Sequence, residues 1–247
     1  MRTLLMEVDA FVEARRSSRP TVRLPMLRAA NSAASAVNTP IVRVGDALVR
    51  IGFRNARSLV IAALLRSQGD ALDGSGLDLA AFWDHLLATG LIAVAASPPG
   101  DGRSAAFTAG MLHDVGRLAM AAIAPGEYAR VVHLARTGVP TLEAEREVFG
   151  TDHLETGLVA AGSWSLPPDL TTAITSHHGG CEEPVAAAVA TARRIAGLLG
   201  YGDGVRPSND PGLLEEAYSD DARILSSLGG PEALARRVAW FRTALAS

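Results

Sequence analysis

Lysine is missing from this chain: all 23 of its basic residues are arginine. Against abundant alanine, that absence reads as a compositional bias and carries no functional signal. Cysteine occurs once, at Cys181, so no internal disulfide can form, and a reducing compartment is expected. No basic run is longer than a pair, and the formal net charge is -3. A protein that tracks a phosphate backbone needs a positive face, so nucleic acid is not an expected partner. The apolar run at residues 86–96 is too short by itself to cross a bilayer. The apolar stretch at the N-terminus is also brief, with acids directly after it, unlike a secretory leader. These features predict a cytoplasmic protein with no membrane insertion.

What the chain has is helix-forming material. Hydrophobic residues are 48% of the 247, charged residues 20% and aromatics only 5%, with alanine and leucine dominant. This length can bury a sizeable core. Helices are expected over residues 8–16, 27–37, 42–51, 55–65, 82–97, 105–123, 127–137, 141–149, 153–164, 169–177, 184–199, 213–228 and 231–246. Pro20 and Pro25 predict a turn after the first of these. Ser104 is a candidate cap, as are Thr151 and Asp152. No strand pattern and no internal repeat emerge. The chain is expected to be all-α. Residues 1–70 form an N-terminal helical subdomain, 71–81 a linker loop, 82–200 a helical bundle and 201–247 C-terminal helices.

The chemistry-bearing residues are histidines. Of the six, His133 reads as an ordinary helix residue; the others are His85, His113, His153, His177 and His178. His113-Asp114 interrupts an apolar, small-residue helix, Ala109-Gly110-Met111-Leu112-His113-Asp114-Val115-Gly116-Arg117-Leu118. Such groups are costly to bury unless paired or bound to a metal. Imidazole and carboxylate together suit Zn, Mn or Fe, and helical bundles build metal sites from side chains on facing helices. Each residue alone also has a plainer reading. His85 could sit on the surface, His153 could join a cap, and His177-His178 could mark a helix end. Asp114 could pair with Arg117 at i+3.

The ordered set resembles a known family. Gly110-Met111-Leu112-His113-Asp114-Val115-Gly116-Arg117-Leu118 is similar to the signature of the HD superfamily, nearest its HDOD branch of HD-related output domains. Leu27-Arg28-Ala29-Ala30-Asn31-Ser32-Ala33, Phe82-Trp83-Asp84-His85 and Ala106-Phe107-Thr108-Ala109-Gly110 resemble further segments of that family, in order. So do Gly150-Thr151-Asp152-His153-Leu154-Glu155-Thr156-Gly157 and the stretch from Trp164-Ser165-Leu166-Pro167 to His177-His178. The resemblance implies an HD-type helical bundle packed against a smaller N-terminal helical subdomain, and bacterial signalling. It also implies a possible divalent metal (Mn, Fe, Zn or Mg), with His85, His113, Asp114, His153, His177 and His178 as candidate ligands.

Three departures stand out. Catalytic relatives hold metal with a first His, the His-Asp pair and a later Asp. Here His85, His113 and Asp114 fill the first three roles, but residues 184–195 contain no acid. The related HD-GYP enzymes carry a lysine where this chain has Arg117, and Arg does not replace Lys freely at a demanding site. No Gly-Tyr-Pro follows His177-His178. The expected function is therefore a non-catalytic regulatory module, with a signalling protein or a small nucleotide as partner. The alternative is a metal-dependent phosphohydrolase acting on a nucleotide or cyclic dinucleotide, with Asp114 in its catalytic centre and Arg117 or Arg193 facing a phosphate. A structural interaction scaffold is a third reading.

Overall fold

The computed structural model describes residues 6–7, 23–31, 41, 43–52, 56, 72–99, 102–206 and 218–245. The helix expected over residues 8–16, Pro20 and most of the one expected over 55–65 lie outside them. All regular structure among the described residues is helical: α1 Arg23–Ala30, α2 Val44–Ile51, α3 Leu79–Ala96, α4 Gly102–Leu112, α5 Val115–Ile123, α6 Pro125–Arg136, α7 Thr141–Phe149, α8 His153–Ser163, α9 Pro168–Ser176, α10 Pro184–Leu198, α11 Tyr218–Ser227 and α12 Pro231–Leu245.

Helix α3 is the centre of the bundle. It begins three residues before the expected Phe82, because Asp78 caps it by accepting from the Ala81 N–H at 3.0 Å. By length and composition α3 is apolar enough to cross a membrane, yet 61% of that window is buried inside the protein. Helices α4 and α10 cover it, which accounts for its apolar surface within the fold. Small residues on all three (Ala88, Ala109, Ala186 and Ala192 among them) are buried and let the backbones approach closely. The approach is tightest where α3 crosses α4. A Cβ on Gly110 would lie 2.6 Å from the Gly90 Cα, so the glycines let the two backbones touch. That contact sets His113, three residues beyond Gly110, beside His85, five before Gly90.

The helix expected over 105–123 is instead two helices. The chain turns at His113-Asp114, with Asp114 at φ -99° and ψ 21° as the N-cap position of α5. In one continuous helix the two side chains would diverge by about 100°; the break allows both to face a single point. Gly116 then fixes α5 against α8, since a Cβ there would come within 2.0 Å of the His153 carbonyl oxygen and 2.5 Å of the Gly157 nitrogen. Two smaller expectations also change. Ser104 lies within α4 instead of capping it, and Pro25 lies in the first turn of α1, where a missing N–H costs no helical bond. Helix α1 gives way to a turn at Asn31, whose side-chain amide bonds to Leu27 O at 2.9 Å and Ile41 O at 2.8 Å. Residues 32–37, the remainder of that expected helix, are not described.

At the C-terminus, α12 packs on α1 and α3, with Arg242 pairing with Asp84 of α3 at 3.1 Å, and it meets α4 through Phe241, stacked on Phe107 at 6.0 Å. Arg194 holds Asp221 with two bonds of 2.6 Å, joining α10 to α11.

Candidate metal centre

The candidate residues come from four places. His85 projects from mid-α3, and His113 and Asp114 from the turn between α4 and α5. His153 opens α8, while His177 and His178 follow α9. All five histidine rings and Asp114 meet. His133 does not; it is exposed on α6. His85 is 2% exposed, which removes its surface reading, and His113, Asp114, Arg117 and His153 are fully enclosed. His178 alone reaches solvent.

The atoms sort into two groups. In the first, His85 Nε2 lies 3.2 Å from His113 Nε2, and the latter is 3.4 Å from Asp114 Oδ2. In the second, His153 Nε2 lies 3.2 Å from His177 Nε2 and 3.1 Å from His178 Nε2. Asp114 stands between them. Its Oδ1 is 3.4 Å from His153 Nε2 and 3.3 Å from His177 Nε2.

Four of the rings are oriented through Nδ1. Each of those nitrogens faces an acceptor: Tyr201 O at 2.8 Å from His85, Gly110 O at 2.7 Å from His113, Ile174 O at 2.9 Å from His177, and Glu145 Oε2 at 2.6 Å from His153. An acceptor requires the proton on Nδ1. In the neutral rings Nε2 therefore presents a lone pair, and these lone pairs face one another. Neither Asp114 oxygen accepts a well-directed hydrogen bond. Such an arrangement repels itself unless a cation sits among the atoms. A proton could be that cation, but three of the rings, His85, His177 and His178, resist one. Burial, then His113, lowers His85 to about 4. Burial likewise holds His177 well below its ordinary value, and burial with the Arg193 charge takes His178 to about 3. A divalent metal suits the geometry better. Ligand nitrogens about 2.0–2.2 Å from a common ion are separated by roughly 3.0–3.5 Å, and the nitrogens here stand 3.1–3.2 Å apart.

The charges around the rings are well organised. Burial would raise the Asp114 carboxyl, but Arg117, then His113, holds it well below the usual carboxylate range. Arg117 Nη1 is 3.1 Å from Asp114 Oδ2 and 3.0 Å from Asp203 Oδ2, and its Nε is 3.8 Å from Glu145 Oε1. The expected i+3 pair of Asp114 with Arg117 thus exists, but it joins a turn to a helix deep in the core. Asp152 caps α8, as expected, accepting from Leu154 N at 2.9 Å and Glu155 N at 3.1 Å. The His153 N–H goes elsewhere, to Glu145 Oε2 at 2.9 Å.

Glu145 and Asp203 escape sequence reasoning. Glu145 is one of three alternating acids on α7, and only its burial, with the Tyr128 hydroxyl donating to it at 3.2 Å, distinguishes it. Asp203 lies between two glycines in a loop, where acids are ordinary. Helix α10, which carries no acid, instead turns Arg193 toward the centre. Its Nε is buried without a partner, and burial lowers its pKa.

One consequence is a pH dependence. The unfolded His85 titrates near 6.5 and the folded one near 4, so between those values the unfolded chain binds more protons. Metal-free stability should be constant above pH 6.5 and fall as pH drops toward 4, by about 3 kcal/mol from His85. Urea unfolding in EDTA from pH 7.5 to 4.5 checks this; a flat profile below pH 6.5 contradicts it.

The chain resembles known proteins in sequence and in fold. The sequence pattern of the HDOD domain matches residues 18–179. A Treponema pallidum (strain Nichols) protein of uncharacterised function is 24% identical over 157 residues; the match covers 62% of this chain and 30% of that protein's length. A Geobacter sulfurreducens crystal structure, an HDOD domain protein of unknown function, aligns with a TM-score of 0.64 at 24% identity, covering 96% of this chain and 85% of its own. A Shewanella amazonensis SB2B protein, provisionally named a phosphohydrolase, aligns with a TM-score of 0.66 at 25% identity, covering 98% and 93%.

Proposed function

The chain belongs to the HDOD domain family, and from that premise we propose that it is a regulatory module of a bacterial signalling pathway, built around a divalent-metal centre and without turnover of its own. The observation that supports this most is the set of Nε2 lone pairs facing one another around Asp114, with each of four rings fixed through Nδ1. Oriented imidazoles of this kind are typical of metal ligands. His85 and His113 with Asp114 would hold one ion, and His153, His177 and His178 a second, with Asp114 reaching both groups.

The non-catalytic part of the reading rests on access and on charge. A catalytic metal keeps an open position for substrate, whereas every candidate ligand except His178 is at most 2% exposed. Asp114 is also tied to Arg117. The partner would then be a signalling protein or a small nucleotide that reads the state of the module.

One observation favours the hydrolase alternative. Arg193 stands at the rim near His178 with a buried, unpartnered Nε, a donor suited to a phosphate oxygen. When bound, a divalent ion supplies positive charge and lowers the pKa of an attacking water. The Shewanella amazonensis relative's name points the same way.

Elemental analysis of protein purified without added metal tests the centre. More than about half a mole of Mn, Fe, Zn or Mg per mole is expected, lost in His113→Ala. No metal, with unchanged stability in that variant, would overturn both metal readings. If metal is present, cyclic dinucleotides, nucleoside triphosphates and a generic phosphodiester should remain intact; metal-dependent turnover would replace the regulatory reading with the hydrolase one.

A further inference from the structure

The loop that follows α10 lies beyond the segment matching the family pattern, yet it is fastened to the centre at several points. Tyr201 O accepts from His85 Nδ1 at 2.8 Å. Gly204 O accepts from the Asp78 N–H, the residue that caps α3, at 2.9 Å. Gly204 has φ +76°, and a Cβ on it would lie 2.6 Å from the Asp78 carbonyl oxygen, so the loop rests directly on the start of α3. Between these anchors stands Asp203, with a side chain 15% exposed. Its Oδ1 accepts from Val205 N at 3.1 Å and Arg206 N at 3.2 Å, which fixes the carboxylate in its own turn. Its Oδ2 meets Arg117 Nη1 at 3.0 Å.

We propose that Asp203 provides the acidic charge that α10 lacks, acting as a positioning residue that shares Arg117 and so weakens its hold on Asp114, which faces the histidines. One nitrogen, Arg117 Nη1, is shared almost equally between Asp203 at 3.0 Å and Asp114 at 3.1 Å. Without Asp203, Nη1 draws on Asp114 alone, with only Glu145 left beside the guanidinium at Nε, and a metal at His85 and His113 must compete more strongly with a fixed positive charge for the same oxygen. The charge balance points the same way. Arg117 faces three carboxylates, Asp114, Glu145 and Asp203. With neutral rings these four side chains sum to two negative charges, and Arg193, turned toward the centre, leaves a surplus of one; neutralising Asp203 removes it. The inference rests on the metal-centre reading.

The test is calorimetric titration of the metal-free, full-length chain with Mn2+, together with its thermal midpoint. Asp203→Asn should weaken Mn2+ binding about 10–100-fold; it should also lower the metal-free midpoint, because buried Arg117 loses one of its carboxylates, while the Asn Oδ1 still accepts from Val205 N and Arg206 N and keeps the turn. Asp203→Ser also keeps a turn-forming oxygen without the charge, and should weaken binding to the same extent. Asp203→Glu, which retains the charge, should recover most of the affinity. A wild type that binds Mn2+ alongside neutral variants that bind it equally well would overturn the role of Asp203, as would a fall in midpoint with affinity unchanged. A wild type that neither binds Mn2+ nor gains stability from it would remove the metal reading, and this inference with it.

Discussion

Asp114→Asn is expected to lower divalent-metal affinity more than 100-fold and to empty both histidine groups, not one. The two oxygens of Asp114 point to different groups: Oδ1 toward His153 and His177, Oδ2 toward His113 and Arg117. Asn keeps the size and the turn but removes the charge. Its amide also offers N–H donors to Nε2 lone pairs that otherwise have none, so a hydrogen bond takes the place of the ion. With metal at 100 times its Kd, the wild type should gain about 2.7 kcal/mol of stability from binding, and Asp114→Asn essentially none. Denaturation with and without Mn2+ measures this. By contrast His178→Ala, at the exposed rim, should leave the group of His85, His113 and Asp114 intact. A substantial metal-induced stabilisation surviving in Asp114→Asn would show that the two groups do not share this carboxylate.

Arg117→Met is expected to destabilise the metal-free protein by about 3–5 kcal/mol, among the largest effects of any single substitution here. The guanidinium is fully buried, and its attraction to Asp114, Asp203 and Glu145 overrides the burial cost to hold its pKa well above the ordinary arginine value. Removing one partner of a buried ion pair leaves an uncompensated charge, and here three carboxylates lose their common cation. Met preserves much of the length and volume, so the cost is mainly electrostatic. Divalent metal should therefore restore more stability to Arg117→Met than it adds to the wild type, because the ion takes over part of the lost charge. Urea unfolding in EDTA and in excess Mn2+ provides both numbers. A loss under about 1 kcal/mol in EDTA would mean that these carboxylates are not held by Arg117.

Much of this was written locally and could be read locally. The apolar periodicity and the Gly and Pro punctuation place α6 to α10 within two residues of where they are observed. The caps follow the same logic: Asp152 does what a polar residue before an apolar run should do. The histidines stand out because a costly residue type recurs at element ends in a chain otherwise rich in alanine. Where local reading fails, a long-range contact decides. Periodicity runs straight through His113-Asp114, and nothing there signals a break. The turn follows from the backbone contact of α4 with α3 at Gly110 and of α5 with α8 at Gly116.

The sequence by itself determined helicity, the order of the elements, the HDOD family and the histidines and aspartate that meet. Those depend on composition, on spacing within one element and on short ordered motifs. Only the tertiary structure decided that the rings form two groups about one carboxylate, that His85 is enclosed, and that Glu145 and Asp203 join the centre. Asp203 reaches Arg117 from 86 residues away in the chain. Hydrophobic periodicity reports which face of a helix is buried, not which distant loop folds over it. A loop acid between two glycines therefore reads as solvent-facing until the packing of α3, α5 and α10 brings it against a buried guanidinium.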